Sequence, residues 1–153
     1  MMFSSIRLSS SRLSSSLAAS HNVVPRHPAS GEPHDSPRTA SEVIGALARS
    51  GWDGCATASN HAADRGEAGV VATLDALDAH GLGHAGTYRS PEDASVPFAL
   101  YELERGGRTV TVAQISTTKD LNGLDDPTGH SVSLNDVGAI TKAAKSARAA
   151  GAD

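Results

Sequence analysis

Rings and thiols are scarce in this chain: 153 residues carry one Trp, two Tyr, two Phe and one Cys. A single thiol excludes an internal disulfide. With so few rings, any core has to be built from Ala, Val, Leu and Ile. Cys55 lies inside an apolar run and reads as a small buried hydrophobe rather than a nucleophile. An excess of basic charge is missing too. The formal charge is -4, which excludes a binder of phosphate backbones, so no nucleic-acid partner is expected. No stretch approaches the roughly 18 apolar residues of a membrane span, and no transmembrane segment is expected.

The length suits one domain, enough to bury roughly 70% of its unfolded surface. Residues 1–36 form a separate compositional block. The opening "MMFSSIRLSSSRLSSSLAAS" lacks the continuous apolar centre of a secretory signal. It is rich in Ser, with Arg7 and Arg12 and no acidic residue before Glu32, the composition of an organelle transit peptide. The simpler expectation is a disordered low-complexity tail, since few apolar side chains offset the entropy of ordering it. His21, His27 and His34 are too irregularly spaced to propose as metal ligands. Localisation stays open, for no clear signal or anchor is present.

Order is expected from residue 37 to residue 153. "TASEVIGALARSG" offers Thr39 as N-cap with Glu42 three residues later, an apolar stripe of Val43, Ile44 and Leu47, and Gly51 as a left-handed stop. "WDGCATAS" (52–59) suits a strand covered on both faces. Glu67 to His80 repeats the helical period through Val70, Val71, Leu74 and Leu77, closed by Gly81, and "LGHAG" (82–86) makes a second short strand. "SPEDA" is one helical turn with Pro91 first. "VPFALYELE" and "RTVTVAQIS" flank "RGG", a hairpin turning at Gly106-Gly107. Residues 116–132 form a polar, solvated loop carrying Asp120, Asp125, Asp126 and His130. A last helix follows, with Ser133 and Asp136 at the capping spacing and Val137, Ile140, Ala144 and Ala147 on one face. Lys142, Lys145 and Arg148 belong to its solvated side. Helices alternating with strands call for an α/β fold, a sheet with flanking helices. A final helix followed by "GAD" ordinarily feeds another strand, so the chain reads as a segment of a larger α/β domain.

Chemistry concentrates in "SNHAADRG" (59–66), where a buried strand ends and a helix begins, the place open α/β sheets use for ligands. Asn60 offers a neutral carbonyl oxygen to a hard cation, and His61 an imidazole suited to proton transfer near neutral pH. Asp64 can ligate, orient His61, or cap the next helix. Gly66 permits a positive φ. An ordinary capping turn, with Asn60 and His61 satisfying loop carbonyls, explains the same residues without function. His84 in "LGHAG" either lines the same cleft, if its strand runs parallel to 52–59, or is a strand-end surface group. His80, at a helix end, suits the helix dipole.

The run from Gly51-Trp52-Asp53 through Asn60-His61, Asp64 and Gly66, Thr73 and Leu74, to Gly81, His84 and Gly86 resembles the capsule-biosynthesis (CapA, poly-γ-glutamate synthesis) family over about residues 37–153. That family is similar to calcineurin-like metallophosphatases. The resemblance implies a partial metallophosphatase-like sheet and a divalent metal (Mn, Fe or Zn) held in part by Asn60. It implies His61 as general acid, with Asp64, Gly66 and His84 in support, and capsule or poly-γ-glutamate machinery as partner. Family members are often membrane-associated or extracytoplasmic. They have an earlier Gly-Asp strand and a later His-Trp-Gly segment that this sequence does not show, and position 59 is Ser where a second Asn is usual. The resemblance therefore implies a fragment with an incomplete metal site. The alternative is a non-catalytic remnant or scaffold component without metal-dependent activity.

Overall fold

The computed structural model describes residues 4–6, 37–126 and 128–153. Expectations for His21, His27, His34 and most of the N-terminal segment lie outside the described residues. Within that segment, β1 (Ser4–Ile6) is a strand paired antiparallel with β2 (Gly54–Ala56). Three residues of a stretch read as linker or tail are thus paired to β2.

The first helix, α1 (Pro37–Arg49), starts two residues before Thr39. Proline suits a helix start because its missing N–H lies where no intrahelical bond is needed. Ile44 is fully buried and Leu47 packs beside it, but Val43 is 48% exposed, so the buried stripe is narrower than expected. Gly51 ends the turn at φ 79°.

A β-α-β unit follows. β2 runs parallel to β3 (Gly83–Ala85), with Cys55 opposite His84, and the connection is α2 (Gly66–Ala79). Parallel neighbours need such a crossover. The sheet order is β1-β2-β3. Ile44, Cys55, Val70, Leu74, Leu77 and Leu82 make the core, with Trp52, Leu47, Ala48 and Ala76 against it. Each fully buried aliphatic side chain there contributes about 1.5–3 kcal/mol. Val71 is only partly buried, because it sits beside Val70 on the turning helix surface.

Beyond Ser90, which caps α3 (Pro91–Ala94) by accepting from the Asp93 amide at 3.3 Å, comes the hairpin. β4 (Ala99–Arg105) and β5 (Arg108–Gln114) pair in register through Arg105 and Arg108. Gly106 and Gly107 have φ of 59° and 75°, the left-handed pair that a two-residue turn requires. The hairpin forms its own two-stranded sheet and lies over β3 through Tyr101.

The last helix, α4 (Val137–Ala149), is capped by Asp136 itself, whose carboxylate accepts from the Ala139 amide at 2.6 Å. Ser133 therefore precedes the helix instead of capping it. Its buried face is Ala143 and Ala147, while Val137 is 82% exposed and Ala144 faces solvent. Alanine on several sides of this helix blurs its apolar period. Lys142, Lys145 and Arg148 are exposed as expected. Among the described residues no helix is long and apolar enough to cross a membrane.

Candidate functional site

Two threonines close the end of β2. Thr57 donates to the Ala85 carbonyl through both its amide and its hydroxyl, each at 2.9 Å, and the Thr87 hydroxyl donates to Thr57 Oγ1 at 2.8 Å. The chain then turns tightly. The Ala62 amide bonds the Ser59 carbonyl at 3.0 Å, the His61 amide reaches Ser59 Oγ at 3.3 Å, and the Gly66 amide meets the Ala63 carbonyl at 2.8 Å. Gly66 takes φ 61°, opening α2 without a side-chain cap.

This turn has an inside and an outside. Ala62 and Ala63 are buried with Leu121, Val132 and Ala58 in a second apolar cluster. Burying that alanine pair forces Asn60, His61 and Asp64 outward, where all three are exposed. His61 Nδ1 lies 3.0 Å from Asp64 Oδ2, and both side chains are about half exposed. Of the three roles open to Asp64, its geometry is that of orienting His61. It does not cap α2.

Sequence reasoning missed the third wall. Residues 116–132 are not simply solvated, since Leu121 and Val132 are 3% and 6% exposed. The Thr118 amide donates to the Ser133 carbonyl at 3.0 Å, and the Asn135 amide to the Thr118 carbonyl at 2.8 Å. Asp126 accepts from the amides of Thr128 and Val132, each at 3.2 Å. Asp120 accepts from the Asn122 amide at 3.2 Å, and Asp125 is exposed. Held this way, Asn122 reaches Asn60 and His61. The Asn60 amide nitrogen donates to Asn122 Oδ1 at 3.0 Å, and Asn122 Nδ2 lies 3.3 Å from His61 Nδ1. The signal for this was the Asn122-Gly123 dipeptide, a turn former.

His84 goes elsewhere. Its strand is parallel to β2, as expected, yet its Nε2 lies 3.1 Å from Asp78 Oδ1 on the last turn of α2. Asp78 and Asp75 also hold the Arg89 guanidinium, at 2.5 and 2.9 Å. Asp64 stands before the first turn of α2, and Asp78 is near the end of its 14 residues, roughly 20 Å of helix away. None of the hydrogen bonds described for His84 joins it to the Asn60–Asp64 turn. His80, the C-cap of α2, packs its ring on Gly45 and lies 3.5 Å from Ser41 Oγ. His130 keeps a buried Nε2 without a protein partner. Cys55 is fully buried, and burial pushes its thiol up.

Among the described residues no group of three or more His, Cys, Asp or Glu side chains could hold a metal ion. A divalent centre needs several anionic or imidazole donors. The Asn60 turn contains one neutral amide, one imidazole and one carboxylate already turned to that imidazole. This donor set does not fit a metal centre.

Compared with known families, residues 23–153 match the family described as bacterial capsule synthesis protein PGA_cap. The match reaches 14 residues upstream of the boundary expected at residue 37. Searches of curated proteins and of solved structures found no match.

Proposed function

Because this chain belongs to the bacterial capsule synthesis protein family, we propose that it acts in making a capsule polymer, with His61 as its proton-transfer residue. The observation that carries the reading is the His61–Asp64 pair at 3.0 Å on an exposed turn between β2 and α2. Asp64 holds the ring through Nδ1, which leaves the far edge of the imidazole to meet a substrate. A positioned imidazole of this kind can protonate a leaving oxygen as a bond to it breaks. The finer part of the proposal is a metallophosphatase-like chemistry on a phosphoester, in the service of capsule or poly-γ-glutamate machinery. Within it Asn60 is the one side chain proposed to touch a divalent ion. The donor set of the described residues speaks against a metal, and the proton transfer rests on His61 and Asp64 alone.

The same donor set supports a second reading, a scaffold component without chemistry. One experiment separates the two. Capsule polymer is measured in a producing strain whose own copy of the gene is deleted and replaced by wild type or His61→Ala. Loss of a general acid lowers the catalysed step by about 10²–10⁴-fold, so polymer should fall to background in His61→Ala while the folded protein accumulates normally. Unchanged polymer would leave the scaffold reading standing and remove the catalytic one.

A further inference from the structure

His61 Nδ1 faces two groups that make opposite demands. Asp64 Oδ2 at 3.0 Å requires that nitrogen to carry a proton, whereas the amide nitrogen of Asn122 at 3.3 Å requires it to carry a lone pair. One nitrogen cannot satisfy both. An amide turned by 180° fills the same volume with oxygen and nitrogen exchanged, and the chain of contacts makes the consequence specific. When Nε2 holds the proton, Asn122 Nδ2 donates to Nδ1 and Asn122 Oδ1 accepts from Asn60 Nδ2 at 3.0 Å. Asn60 then turns its carbonyl oxygen to the outside. When Nδ1 holds the proton, Asn122 meets the ring with Oδ1, its Nδ2 donates to Asn60, and the Asn60 oxygen is occupied.

We infer that Asn122 is a positioning residue that couples the tautomer of His61 to the amide atom Asn60 presents outward. The backbone is built to keep it there. Asn122 is the one non-glycine residue with positive φ (55°) among the described residues, followed by Gly123 at 80°. Asparagine tolerates that region better than most residues. The Leu124 amide closes the turn on the Leu121 carbonyl at 3.0 Å, and Leu121 itself is buried against Ala62 and Ala63. The loop that carries Asn122 and the turn that carries its two partners thus share one apolar anchor. A charge-assisted bond is roughly twice as strong as a neutral one, so Asp64 draws the proton to Nδ1. That turns both amides over from the arrangement in which Asn60 Nδ2 meets Asn122 Oδ1 and brings the Asn60 oxygen inward. Removing Asp64 releases that oxygen.

The role rests on Asn60 and His61 being the working pair, but its test does not use activity, so the two can fail separately. The full chain, labelled with ¹⁵N, is examined by NMR for the His61 ring tautomer and the Asn60 side-chain amide signals. Four proteins are compared: wild type, Asp64→Ala, Asn122→Gly, and the double variant. Glycine keeps the positive-φ backbone at 122 and removes only the amide. Asp64→Ala should move the His61 ring proton from Nδ1 to Nε2 and shift the Asn60 amide signals, although Asp64 does not touch Asn60. In the Asn122→Gly background the same change at Asp64 should leave the Asn60 signals still. An Asn60 response of equal size with and without Asn122, or none in either, overturns the inference.

Discussion

At Gly54 and Gly83, paired in register across β2 and β3, there is room for a hydrogen and little else. A Cβ at Gly83 would stand 2.7 Å from the Tyr101 hydroxyl, and one at Gly54 would collide with the same oxygen. That hydroxyl donates to Gln114 Oε1 at 2.7 Å and ties β4 to β5 within the hairpin. Gly54→Ala should therefore cost about 1–3 kcal/mol, the usual range for overpacking, read as a lower urea midpoint at unchanged slope. Burial, followed by the nearby Cys55 and Asp53, pushes the Tyr101 phenol up from 10.0 to about 12. A group whose pKa is raised by folding stabilises the fold fully below its unfolded value and loses that contribution as pH rises through the folded one. Stability should thus be retained up to about pH 10 and fall between 10 and about 12. Tyrosinate absorbance, with Tyr101→Phe to separate it from Tyr88, checks the sign; release of the Tyr101 proton below pH 10 would contradict it.

At the scale of elements, two aspartates standing before helices behave differently. Asp136 bonds the Ala139 amide and caps α4, whereas Asp64 turns to His61 and leaves α2 uncapped. Asp136→Ala should then cost about 1 kcal/mol in thermal unfolding. Asp64→Ala should stay within about 0.5 kcal/mol, as befits an exposed pair. The same comparison shows what a local pattern reveals. The hairpin was legible because "RGG" determines its own turn. The β-α-β order was legible because Val70, Leu74 and Leu77 repeat at the helical period beside two small-residue strands. The phase of α4 was not, since Ala143, Ala144 and Ala147 offer the same side chain on both sides of the buried face.

For the whole molecule, the decisive contact joins positions some sixty residues apart. Leu121 and Val132 settle on Ala62 and Ala63, and that small cluster determines where Asn122 stands. Leu121→Ala should cost about 2 kcal/mol, the low end for a buried leucine, because the cluster is small. It should also release the loop, seen as faster proteolysis between residues 117 and 126 and a change in the Asn60 amide signals. A stability loss without those two local changes would mean that Leu121 does not hold the site.

The chain's own order of residues was enough to determine the α/β class, most element types, the Asn60-His61 turn and the family to which that turn belongs. The class, the elements and the turn follow from local rules, in which side-chain period, glycine placement and neighbouring residue types act within a few positions of one another. The family came from resemblance and from the match over residues 23–153. Tertiary structure decided the rest. It sent His84 to Asp78 and brought Asn122 across to complete the turn. Those outcomes depend on which apolar side chains share a distant cluster, and no local spacing encodes that choice.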